Sequence, residues 1–123
     1  SDCGTCPTFR SLLMRNDILN VLSFNIDGNV VLKGTLQQNS NPQLTANDEF
    51  AVKDRNGNSV AIVNLVTGDM VIKGNLQQNQ QALAPPPSSN DFIVKDSNGN
   101  VVSFIDEQGN FHLKGTLTQR GNP

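Results

Sequence analysis

The chain has 123 residues, which is room for one domain or a short array of small repeats. Nine Lys and Arg against eleven Asp and Glu give a formal charge of −2, so there is no basic footprint for nucleic acid or for an anionic membrane surface. Six Phe with no Trp or Tyr leave almost no stacking platform for bases or sugars, while 17 Asn and 9 Gln make the chain rich in side-chain amides.

Residues 1–11 read as an N-terminal extension. The first residue is Ser rather than Met, from which we expect a secretory leader removed ahead of it. Cys3 and Cys6 form a Cys-x-x-Cys pair there. A thioredoxin-like redox pair needs a strand before it and a helix after it, and this position offers neither. A zinc half-site needs a second ligand pair, and His112 is the single His of the chain. The expectation is a disulfide, within the chain or to a neighbour, in a compartment outside the reducing cytosol. No apolar run approaches the ~18 residues of a membrane helix. No Asn-x-Ser/Thr sequon occurs.

One unit then recurs three times, over 12–38, 50–78 and 92–120. Its Lys-Gly pairs fall at 33–34, 73–74 and 114–115. The first unit is matched to the third by setting Ser23-Phe24 against Ser103-Phe104, with Leu12–Arg15 opposite Phe92–Lys95. It lacks the Asn-Gly turn of the other two and reads Asn16-Asp-Ile-Leu-Asn20 instead. One reading of Leu12 to Phe24 is a slightly irregular hairpin or helical turn packed on its own chain; the other is that the segment does not fold back on itself. Phe9, Leu12, Leu13 and Met14 would then seek an apolar partner on the sheet edge of the next subunit, by β-strand addition.

Linker 39–49 is rich in Asn, Gln, Ser and Pro, and linker 79–91 carries Pro85-Pro86-Pro87. In units two and three the first strands are joined by Asp54-Arg-Asn-Gly-Asn58 and Asp96-Ser-Asn-Gly-Asn100. Asn56-Gly57 and Asn98-Gly99 between apolar runs predict tight hairpin turns, since both residue types tolerate positive φ. A second Gly turn follows in each unit. The third strand alternates through the Lys-Gly pair, as in Phe111, Leu113, Gly115 and Leu117 on one face. A Gly on the inward face predicts a bulge or a close crossing by another strand. The fold expected is all-β: three repeated three-stranded antiparallel meanders, packed as a sandwich or solenoid-like array because none buries its face alone.

Chemistry-bearing groups are few. The two Asp-x-Asn-Gly-Asn loops miss the EF-hand spacing, with Gly fourth rather than sixth, and read as plain turns. His112 falls on the polar face of its strand and reads as a solvated residue. Asp48-Glu49 and Asp106-Glu107 lie in loops and read as solubilising. Nucleophilic catalysis needs a base near the nucleophile, and a Lys–Asn isopeptide bond needs a buried pair beside an acid. No catalytic, cofactor-binding or metal-binding residues are assigned, and no enzyme is expected.

The unit F-x-V-K-D-x-N-G-N, closing in G-N-x-x-L-K-G-x-L, resembles β-rich tandem repeats of secreted archaeal and bacterial surface proteins. It is also similar to repeats of fibrous appendages and phage fibres. The resemblance implies scaffolding and carries no functional residues over. The function expected is a structural subunit of an extracellular or cell-surface filament that polymerises with itself. A monomeric adhesin or carbohydrate-binding module for an unidentified surface ligand is the alternative, as is a trimeric phage-fibre segment.

Overall fold

The structure is a computed structural model that describes residues 8–9, 12–15, 20–25, 27–43, 49–80, 92–96 and 98–123, with backbone alone at 8, 9, 12, 13, 15 and 49. Cys3, Cys6 and the Pro85–Pro87 run lie outside the described residues. The described chain is all-β, with no helix. After β1 (Thr8–Phe9) comes unit one, with β2 (Leu12–Arg15), β3 (Asn20–Phe24), β4 (Val30–Leu32) and β5 (Leu36–Gln37). Unit two holds β6 (Glu49–Lys53), β7 (Ser59–Asn64), β8 (Met70–Ile72) and β9 (Leu76–Gln77). Unit three holds β10 (Phe92–Lys95), β11 (Val101–Ile105), β12 (Phe111–Leu113) and β13 (Leu117–Thr118).

In every unit the first three strands form the expected antiparallel meander. The alternating third strand, however, does not continue through the Lys-Gly pair. It stops, turns a corner, and the rest joins the sheet of the next unit as a short parallel strand. β5 lies on β8, β9 on β12, and β13 returns to β4. The resulting sheet orders are β13-β4-β3-β2, β5-β8-β7-β6 and β1-β10-β11-β12-β9. The repeat array thus closes on itself as a three-sided prism around one core.

Side chains facing inward alternate along the strands, as period 2 requires. Val30 and Leu32, Met70 and Ile72, and Phe111 and Leu113 are all buried. They share one cluster with Leu22, Phe24, Val63, Phe92 and Ile105 from all three units. Phe24 meets Phe92 and Phe111 at ring-centroid separations of 5.7 and 5.8 Å, and Phe50 meets Phe92 edge-on at 5.6 Å. Each such buried side chain is worth about 2–3 kcal/mol of apolar transfer. No unit owns its core, so none is stable without the other two.

Two expectations are corrected here. The segment from Leu12 to Phe24 does fold back on itself: Leu12 pairs with Phe24, Leu13 with Ser23 and Met14 with Leu22. Arg15 pairs with Asn20 across four intervening residues where the other units have five, so the two strands pair without an Asn-Gly between them. For the same reason Ser23-Phe24 does not match Ser103-Phe104. Phe24 pairs with Val30 as Ile105 pairs with Phe111, one residue further along.

Candidate functional site: the corners where the repeats interlock

The recurrent built feature of this chain is the corner, present three times. At the end of each third strand, a glycine N–H donates to a carbonyl of the next unit's turn: Gly34 to Gly68, Gly74 to Gly109 and Gly115 to Gly28, each at 3.1 Å. The following N–H donates to a side-chain oxygen of the same turn. Thr35 N bonds Asp69 Oδ1 at 2.9 Å, Asn75 N bonds Asn110 Oδ1 at 3.0 Å, and Thr116 N bonds Asn29 Oδ1 at 2.8 Å.

The glycine is required by this approach. A Cβ on Gly34, Gly74 or Gly115 would overlap the side-chain oxygen of Asp69, Asn110 or Asn29 respectively. A close approach is present at each inward glycine, but it is made by a turn of the next unit and not by the crossing strand expected. The turn glycines Gly28, Gly68 and Gly109 have φ of +82°, +79° and +79°, which brings their carbonyls toward the corner.

A second set of bonds ties each closing strand to the unit before it. Gln119 Oε1 accepts from Leu36 N, Gln38 Oε1 from Leu76 N, and Gln78 Oε1 from Leu117 N, at 2.8–2.9 Å. Beyond these glutamines the chain reverses through a left-handed residue: Asn39, Asn79 and Arg120, with φ of 53°, 56° and 52°. Arg occupies in the third corner a conformation that Asn tolerates better.

The predicted turns stand apart from the corners. Gly57 and Gly99 have φ of +84° and +85°, and their Asn56 and Asn98 neighbours do not have positive φ. Gly57 N donates to Asp54 O at 3.1 Å and Gly99 N to Asp96 O at 3.2 Å, so these are four-residue turns with one left-handed glycine, not two-residue loops. Asp54 Oδ1 accepts from Asn56 N and Asn58 N, and Asp96 Oδ1 from Asn98 N and Asn100 N, all at 2.9 Å. The Asn100 N–H, with help from Asn98, holds the Asp96 carboxyl below the usual range. At Asp69 the Thr35 N–H lowers the carboxyl likewise.

His112 is not the solvated residue the sequence suggests. Its ring stacks on Phe104 at 4.2 Å and 13°, and its Nε2 lies 3.0 Å from Asp106 Oδ2. The side chain is 17% exposed. Glu107 is also not merely solubilising: it takes Arg55 N at 2.8 Å and Arg55 Nη2 at 3.0 Å across the boundary between units two and three. Asp54, Lys73 and Gln108 join that pair around a surface cleft of about 380 Å³.

Of the residues named for subunit joining, Leu12, Leu13 and Met14 pair with β3 of their own chain, and Phe9 pairs with Val94 of β10. Asn56-Gly57 and Asn98-Gly99 lie in turns, but with positive φ at the glycine alone and not at both residues. Sequence reasoning missed Asn29, Asp69 and Asn110 as corner acceptors, and Gln38, Gln78 and Gln119 as strand caps. Their signal was recurrence: an Asx after every second-turn glycine, and a Gln two residues after every closing-strand leucine. Comparison with family models, characterised proteins and solved structures returned no match.

Proposed function

We propose that the protein is a non-catalytic structural module, secreted and working as the repeating subunit of an extracellular filament or fibre. The observation that carries this reading is the cyclic interlock of the three repeats. Its polar side chains are committed to turns and corners, which is what a rigid building block needs.

The prism has two unlike ends. One carries β5, β9 and β13, two residues each, with a leucine N–H of each already taken by a glutamine. Short, side-chain-capped edges do not invite strand addition. The other carries the outer edges of β2 and β6, and β1 on β10. Contact between unlike ends is heterologous and does not close, so it propagates as a filament. Joining by insertion of Leu12–Met14 into a neighbour is not part of this proposal, because that segment has its partner within the chain. The threefold layout also bears on the fibre-segment alternative: one chain supplies all three sides, so three chains are not needed to close the core.

Negative-stain microscopy of native material tests the proposal. Filaments of unlimited length support it; rods of fixed length or dispersed monomers overturn it. Secretion further predicts that Cys3 and Cys6 are oxidised. Alkylation without reductant followed by mass spectrometry checks this, and two labelled thiols would count against it.

A further inference from the structure

We propose that Asn98-Gly99 is a site of spontaneous backbone modification in this protein, and that it reacts ahead of Asn56-Gly57. The chemistry is intramolecular. The Gly99 nitrogen loses its proton and attacks Cγ of the Asn98 side chain. The Cγ–Nδ2 bond breaks and ammonia leaves, giving a five-membered succinimide. Water then opens either carbonyl of that ring, leaving aspartate or isoaspartate at position 98. No oxidant, metal or partner is required.

Three conditions govern the rate, and the fold sets all of them. The first is side-chain clearance behind the attacking nitrogen. Glycine gives it, and around Gly57 and Gly99 no described residue lies within 4 Å of where a Cβ would be. The second is solvent access, and Asn56, Gly57, Asn98 and Gly99 are all exposed. Asp27-Gly28 has the same dipeptide chemistry in its isomerisation form, yet Gly28 is buried against Val102 O and Gly115 N in the corner. It is therefore protected. The third is release of the nitrogen, since both glycine N–H groups sit in turn bonds, to Asp54 O and Asp96 O. The turn must open before reaction.

Turn opening separates the two sites. In unit two the turn is tied to unit three by Arg55, whose backbone N, Nε and Nη2 all reach the Glu107 carboxylate, at 2.8, 3.3 and 3.0 Å. At the corresponding positions of the sequence stand Ser97 and Ile26, neither of which carries a charge. Asn100 Nδ2 adds only a 3.4 Å contact to Asp96 within the turn itself. The Arg55 side chain is 70% exposed, so its pairing is worth what surface pairs are worth, and about a fivefold difference in rate follows. At position 98 the product places a new carboxylate beside Asp96, and in the isoaspartyl form lengthens the backbone by one carbon inside a four-residue turn.

The test is peptide mapping of the intact folded chain during incubation at mildly alkaline pH. The same chain in denaturant gives the intrinsic rates. The expected result is conversion at 98 about fivefold ahead of 56 in the folded chain, and near-equal rates in denaturant. Glu107→Ala should raise the rate at 56 toward that at 98 and leave 98 unchanged. Conversion at 56 first, no conversion at 98 in the folded chain, or no response of 56 to Glu107→Ala would each overturn the proposal.

Discussion

At single positions, the three units reveal what each residue does by what stands in its place in the others. Ser103 is buried between strands, and its hydroxyl has no hydrogen-bond partner among the described residues. By register, Ala61 faces Val52 as Ser103 faces Val94, and Leu22 faces Met14. An unpaired buried hydroxyl costs about 1–3 kcal/mol. Ser103→Ala should therefore stabilise the fold by about 1 kcal/mol, read as a higher urea midpoint. Asp69 makes the same comparison at the corner, where Asn29 and Asn110 do its work without charge. The Thr35 N–H lowers the Asp69 carboxyl below its ordinary 3.8. A carboxyl lowered on folding stabilises above that ordinary value, and the stabilisation is lost as pH falls through the folded value. Asp69→Asn should match the parent chain near neutrality and surpass it in acid. A stability difference between the two chains that stays flat with pH would refute this role. The recurrence of an Asx after each second-turn glycine marked these corner positions in the sequence, but the bond each makes was not legible there, and nothing in the sequence singled out Ser103.

At the scale of strands and turns, much was legible. Period 2 in three copies placed the strands, and the Gly turns placed their ends. What escaped was where the third strand stops. Alternation persists through Val30, Leu32, Gly34 and Leu36 because the chain keeps one face to the core on both sides of the corner. Periodicity reports the buried face and is blind to which sheet supplies the neighbours. The corner glycines and the turn glycines therefore differ in a way that substitution exposes. At Gly34 a methyl group would collide with Asp69 and break the lock between two units, at about 1–3 kcal/mol for the overpacking with the lost hydrogen bond added. At Gly57 the space is open and only the left-handed φ resists, at about 1 kcal/mol. Gly34→Ala, Gly74→Ala and Gly115→Ala should each destabilise more than Gly57→Ala in denaturant titrations. Equal losses at both kinds of position would show that the corner does not lock.

For the whole molecule, the decisive property is that the third unit closes on the first. In an open array, the last closing strand would hang at an end with no acceptor, and its leucine would matter least. In the prism, Leu117 enters the first unit's sheet as Leu36 enters the second's and Leu76 the third's. All three leucines are partly buried against the one shared core. The tail after Leu117 is fixed as firmly as its counterparts, through Arg120 N to Gly34 O and Gly121 N to Leu32 O, both at 2.8 Å. Closure also means that no boundary can open alone, because each unit holds one neighbour and is held by the other. The ring should unfold in a single transition, with far-ultraviolet dichroism and hydrodynamic size changing together. Within that transition, Leu36→Ala, Leu76→Ala and Leu117→Ala should each lower stability by a similar amount, about 2 kcal/mol for a partly buried leucine. Leu117 is the informative position, since its closing strand returns to the first unit while those of Leu36 and Leu76 join the unit that comes next in the chain. A loss at Leu117 well below the other two would mean that the third corner stands open in solution, and the prism would then be a bent array.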